Sequence, residues 1–173
     1  SGKKKSPERA LDFANHWSNL FGSEIQLRAT KSFADIRKSA AENIDKDILI
    51  FMGGDGTLSE CLQGVCEQRK FKPLKNPVGL LPGGTGNSFL RDFGITNYEE
   101  GRDALLAALQ KKNSINADLS IISYNSLENR KPVKRICFNI FGLGVIPDAA
   151  ETAIKMRFLG DMNYLVGVVK SAF

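Results

Sequence analysis

Two glycine-rich runs hold the residues of this sequence best suited to chemistry. They are Gly53-Gly54-Asp55-Gly56-Thr57 and Gly83-Gly84-Thr85-Gly86-Asn87, and each follows an apolar stretch. Glycine lets a backbone turn sharply and come close to a phosphate oxygen. A helix that opens behind such a loop presents unpaired N–H groups at its positive end. Gly53, Gly54 and Gly56 suit that task in the first loop, and Gly84 and Gly86 in the second. Thr57 and Thr85 add hydroxyls, and Asn87 adds a neutral amide. Asp55 is the unusual member. A carboxylate among phosphates is repulsive unless it binds Mg²⁺, takes a proton from an acceptor hydroxyl or orients water. The plainer alternative is a tight Asp-Gly turn leading into a helix. Neither loop carries the Gly-Lys-Ser/Thr of a Walker A motif or the Gly-x-Gly-x-x-Gly dinucleotide fingerprint.

These loops need strands to carry them and helices to follow them. Residues 47–52 form a near-continuous apolar run, as in a strand buried on both faces, and residues 78–81 read as a second strand. Leu58, Cys61, Leu62, Val65 and Cys66 recur at helical spacing after the first loop. Before it, Ser6-Pro7-Glu8 opens a helix that Gly22 ends, residues 24–30 alternate as a strand, and Ser32 caps a second helix running to about Asn43. A short helical stretch follows the second loop, and residues 98–111 form a longer helix. The order predicts an α/β fold, a Rossmann-like, mostly parallel sheet with helices on both faces. Ligands bind such sheets at the carboxyl ends of strands, where both loops lie. From residue 114 the pattern changes. Residues 115–121 alternate, residues 123–132 are polar, and residues 135–145 are again strand-like, which reads as an antiparallel hairpin. Helices are expected over 147–158 and 161–172. The expected division is a nucleotide-binding domain over 1–113 and the start of an antiparallel β-rich second domain over 114–173.

Composition narrows the function classes. The chain has 173 residues, 42% of them hydrophobic, with a net charge of +5. The basic residues are scattered and form no stripe with aromatics, so nucleic acid is not an expected partner. No apolar run approaches the roughly 20 residues that span a bilayer, and no signal-peptide core follows the basic N-terminus. Cys61, Cys66 and Cys137 fit no zinc spacing and read as free thiols of a reducing compartment. His16, the single histidine, reads as structural.

At the glycine loops the sequence resembles the diacylglycerol kinase catalytic domain superfamily, which includes sphingosine and ceramide kinases. Residues 53–57 with Glu60 match its GGDGT-x-x-E signature, and Pro82, Gly84, Thr85 and Asn87 match its Pro-x-Gly-Thr-x-Asn loop. Ser1-Gly2 resembles the end of its first phosphate loop, and Thr30 matches a threonine near the nucleotide. Asp118 matches an aspartate at the start of the second domain. Phe138-Asn139, Gly142 and Gly144 match its Phe-Asn-x-x-x-Gly-x-Gly strand. The resemblance implies a two-domain kinase that moves the γ-phosphoryl group of ATP, with Mg²⁺, to a lipid hydroxyl at a membrane surface. It further implies a cytoplasmic protein peripherally associated with membrane, and it makes Asp55 the candidate base. Arg157 matches a phosphate-facing arginine of sphingosine and ceramide kinases, and Asp148 falls in the same substrate-side pattern. Departures are informative. Ser88 replaces an aspartate usual in diacylglycerol kinases, Ala150 replaces the aspartate that holds a sphingoid head group, and Asn163 replaces a second phosphate-facing arginine. Ala150 and Asn163, with Thr57, favour a diacylglycerol-like acceptor, whereas Ser88 motivates a non-catalytic reading. The alternatives are a sphingoid-base or ceramide kinase, a non-catalytic nucleotide-binding regulatory module, and a soluble-substrate kinase of the NAD kinase kind. The chain reads as part of a longer enzyme, and alone it is expected to be weak or inactive.

Overall fold

The computed structural model describes residues 6–84 and 87–139. Its centre is a parallel pair, β1 (Leu49–Gly53) and β2 (Val78–Pro82), with Leu49 opposite Val78 and Gly53 opposite Pro82. Successive side chains of a strand point to opposite faces. Leu49 and Phe51 pack on one side against α2 (Phe33–Glu42) and α3 (Asp55–Gln68), where Ala40, Cys61 and Val65 are buried. Ile50, Met52 and Leu81 point the other way, to Phe13 and Trp17 of α1 (Ser6–Phe21) and Leu106 of α5 (Tyr98–Gln110). Helices therefore cover both faces of the pair, which is why the run over 47–52 is apolar without alternation. Among the described residues the parallel sheet has these two strands.

The helix signals act as the sequence predicts. Ser32 accepts the N–H of Asp35 at 3.2 Å and opens α2. Gly22, at φ +62°, lets its own N–H reach the Ser18 carbonyl at 2.9 Å and closes α1. Leu58, Cys61, Leu62, Val65 and Cys66 are all buried along α3. Burial, with Glu60 beside it, pushes the Cys61 thiol up to about 12, so this free cysteine is an inert packing group. On the other face, the Tyr98 hydroxyl of α5 has its single proton within reach of two acceptors, Asp12 Oδ2 at 2.8 Å and the Arg9 carbonyl at 2.6 Å, and Arg102 donates to Asp12 at 3.0 Å. That latch joins α1 to α5.

Two expectations need correction. Residues 24–30 form no strand. Ile25 touches the α1–α5 core, but Leu27 stays exposed and no ladder bonds join the segment to β1. Alternation marks no buried face beyond Ile25, since Leu27 and Ala29 are exposed like the residues between them, and it supplies no neighbour's hydrogen bonds. The antiparallel hairpin exists with shifted bounds: β3 (Ser120–Asn125) pairs antiparallel with β4 (Pro132–Cys137), from Ser120 opposite Cys137 to Asn125 opposite Pro132. The polar stretch read as a connection supplies half of β3 and the first residue of β4, because this ladder needs backbone pairs more than apolar side chains.

Gln63 fixes the hairpin to α3. Its side chain is 2% exposed. Its Nε2 donates to the Lys134 carbonyl at 2.9 Å, and its Oε1 accepts the Ile136 N–H at 2.9 Å. The amide thus serves two successive same-side groups of β4 as a strand neighbour would. Gln63→Leu keeps much of the volume and strands both backbone groups, at a cost of about 2 kcal/mol. We expect the thermal midpoint to fall by roughly 5 °C. An unchanged midpoint in a melting experiment would mean that water serves β4 equally well.

Candidate functional site

The two glycine loops leave the same edge of the sheet. Because Gly53 lies opposite Pro82, the chain enters both loops at one level, and the ladder continues one step further, with the Gly83 N–H donating to the Gly53 carbonyl at 2.9 Å. Beyond that point the loops touch backbone to backbone. A Cβ on Gly84 would lie 2.6 Å from Gly54 Cα, and one on Gly54 would lie 3.2 Å from Gly84 Cα. A Cβ on Gly53 would meet the Thr57 side chain at 2.3 Å. These glycines are therefore required by close approach.

Behind the first loop, Gly54 is the N-cap of α3, and its carbonyl accepts the N–H groups of Thr57 and Leu58 at 2.9 and 3.1 Å. Among the described residues no group accepts the N–H of Asp55 or Gly56. These two donors, without a partner among the described residues, stand at the positive end of a 14-residue helix that begins beside Gly84. Phe33, largely exposed at the start of α2, borders it at Gly56.

The polar side chains of the two loops turn inward. Asn87 adopts the left-handed conformation, at φ 49° and ψ 41°, which asparagine tolerates well. Its Oδ1 accepts the Gly84 N–H at 3.1 Å and its Nδ2 donates to the Gly84 carbonyl at 2.8 Å, tying Asn87 to Gly84. The carboxylate of Asp55 accepts the N–H groups of Ser88 and Phe89, at 2.9 and 3.0 Å, the first two residues of α4 (Ser88–Arg91).

The other expected site residues divide. Gly53, Gly54, Asp55, Gly56, Thr57, Gly84 and Asn87 come together as the sequence suggests. Thr30 is exposed just ahead of Ser32, the cap of α2, and Asp118 is exposed ahead of β3. Glu60 faces away from the loops into an ionic bridge. Arg37 of α2 donates to it through Nε at 2.9 Å and through Nη2, and Arg135 of β4 lies 3.6 Å away. Neither arginine is legible as its partner, since they stand 23 and 75 positions away. Ser1, Gly2, Thr85, Gly86, Asp148 and Arg157 lie outside the described residues, as do the expected helices over 147–158 and 161–172. A shallow groove of about 490 Å³ lies between α2 and the C-terminal half of α3, lined by Arg37, Lys38, Gly64 and Glu67 among others. None of its lining residues belongs to the glycine loops. Among the described residues no helix is long and apolar enough to cross a membrane.

Comparison with known proteins gives a family match and named relatives. The family model of the diacylglycerol kinase catalytic domain matches residues 1–121. Two Staphylococcus aureus proteins, from strains MSSA476 and MW2, each bear the name "putative lipid kinase". Each is 30% identical to this chain over 130 residues, covering 73% of this chain and 37% of its own length. A third, from strain JH9 and similarly named, is 29% identical over 130 residues. The matched region thus spans little more than a third of those relatives, at 37% of their length.

Proposed function

This chain belongs to the diacylglycerol kinase catalytic domain family, and on that premise we propose that it forms the nucleotide half of an ATP-dependent lipid kinase. The observation that carries the reading is the backbone contact of Gly54 with Gly84 at the paired ends of β1 and β2. It leaves a cradle without side chains beside the open end of α3. Polyphosphate is the ligand class that such a cradle suits, since its oxygens accept from backbone N–H groups that no Cβ obscures. In this reading Gly53, Gly54, Gly56, Gly84 and Gly86 line the phosphates, Thr57, Thr85 and Asn87 hold the loop shapes or add donors, and Thr30 borders the nucleoside side. Ser1, Gly2 and Arg157 complete the phosphate side, and Asp118 and Asp148 fall toward the acceptor. Residues 1–113 form the nucleotide-binding part, and residues 114–173 open a second, antiparallel domain.

Mg²⁺ bound with ATP would neutralise charge on the transferring phosphates. Among the described residues no group of three acidic, histidine or cysteine side chains is gathered. The chain's own contribution is to hold the phosphates in line with the acceptor hydroxyl, which is most of what phosphoryl transfer asks of a protein.

The acceptor we propose is diacylglycerol-like, supported by Thr57, Ala150 and Asn163, and presented at a membrane that a cytoplasmic protein meets peripherally. The test is transfer of label from γ-labelled ATP by the intact protein to diacylglycerol, sphingosine, ceramide and NAD in parallel. Label in diacylglycerol is the expected result. Label only in a sphingoid lipid reassigns the acceptor, and label in NAD removes lipid kinase activity altogether. ATP binding without transfer to any acceptor would make the chain part of a regulatory module.

A further inference from the structure

We infer that Asp55 is a positioning residue: its carboxylate clamps the second glycine loop to the first and sets the separation of their backbones. Oδ2 accepts the Ser88 N–H at 2.9 Å and Oδ1 accepts the Phe89 N–H at 3.0 Å, so both oxygens are engaged by the opening of α4. Asp55 is itself the first residue of α3. One side chain therefore ties together the starts of the two helices that follow the two loops.

The surroundings show why this tie matters. α4 has four residues, too few to be held by its own hydrogen bonds. Its approach is stiff, because Asn87 is left-handed and bonded at both ends to Gly84. Its far side is anchored. The Phe89 ring meets those of Phe93 and Phe138 edge-on, each at 5.3 Å, and packs on the cluster of Leu58, Leu62, Cys66 and Ile136. Between the stiff approach and the anchored ring, Asp55 is the contact that draws the unit against Gly54. The Gly54–Gly84 approach is tight enough that a small drift of α4 would open it.

A general base turns an accepting lone pair to the hydroxyl that loses a proton. Here one lone pair of each Asp55 oxygen is held by a backbone N–H of the same chain, which fixes the carboxylate against the start of α4. Those two N–H groups, being taken like the Gly84 N–H held by Asn87, leave phosphate binding to the open end of α3.

The inference rests on the nucleotide reading of the loops, so its test has one arm that is independent of that reading. In the intact protein without nucleotide, amide exchange is measured over residues 87–92 for wild type, Asp55→Asn and Asp55→Ala. Asparagine keeps an oxygen acceptor and alanine keeps none. The expected result is exchange about tenfold faster in the alanine variant, the scale of losing a helix cap, and only about threefold faster in the asparagine variant. Wild-type exchange in the alanine variant would overturn the clamp. The second arm measures ATP affinity, kcat and KM. A clamp predicts that losses follow the exchange rates and appear chiefly in ATP affinity and KM. A fall in kcat of about 10²-fold or more in Asp55→Asn, with exchange unchanged, is the signature of a lost base and would overturn the inference. Should the alanine variant not fold, the asparagine variant alone decides between these outcomes. Should wild type phosphorylate no acceptor, the kinase reading fails while exchange and ATP affinity still judge the clamp.

Discussion

Replacing Gly84 with alanine is expected to weaken ATP binding by the intact protein by about 10²-fold, comparable with removing one preorganised donor from a charge-stabilising site. The added methyl carbon would stand 2.6 Å from Gly54 Cα and 2.9 Å from the Gly54 nitrogen. Both are backbone atoms, held by the ladder through Gly53, so no rotamer change relieves the clash. The loops must separate, and the space between them is the proposed phosphate site. Neighbouring substitutions should form a graded series. Gly54→Ala brings its Cβ to 3.2 Å from Gly84 Cα, a contact that a shift of a few tenths of an ångström relieves, and should cost much less. Gly53→Ala meets the Thr57 Cβ at 2.5 Å, an atom that cannot rotate away, and should fall near Gly84→Ala. Calorimetric titration with ATP reads the series, and a melt of each variant guards against unfolding. Wild-type affinity in Gly84→Ala would show that nucleotide does not use this contact.

The parts of the molecule legible in the sequence are those set by local rules. β1 announced itself because a strand covered on both faces has apolar residues at every position, and Leu49, Ile50, Phe51 and Met52 do contribute to two different cores. α3 was legible because its buried residues keep helical spacing, and the loops because glycine marks close backbone approach. What the sequence left open depends on partners distant along the chain. The hydrogen bonds of Asp55 come from Ser88 and Phe89, more than 30 positions on. The ion pairs of Glu60 come from Arg37 and Arg135. Gln63 becomes a buried bridge only through β4. In each case the residue type is visible in the sequence and its partners are set by tertiary placement.

Gly64→Ala sets local preference against tertiary packing and gives the largest expected loss of stability. On helix propensity alone the change should stabilise, since glycine within a helix is about 1 kcal/mol less favourable than alanine. The structure predicts the opposite sign. Gly64 lies where α3 crosses α2, and a Cβ there would stand 2.2 Å from the Arg37 carbonyl oxygen and 2.9 Å from its carbon. Ordinary contact needs α2 to retreat by roughly 1 Å. That movement strains three things at once: the Arg37–Glu60 ion pair one turn away, the packing of Ala40 on Cys61 and Val65, and the seating of both helices on Leu49 and Phe51. Overpacking of this kind costs about 1–3 kcal/mol, and part of the ion pair is lost with it. We expect a net loss near 3 kcal/mol, seen as a fall of about 10 °C in the thermal midpoint. ATP affinity below the transition should change far less than in Gly84→Ala, because the loops sit at the other end of α3. A midpoint equal to or above wild type would mean that helix propensity prevails and that the α2–α3 crossing yields without cost.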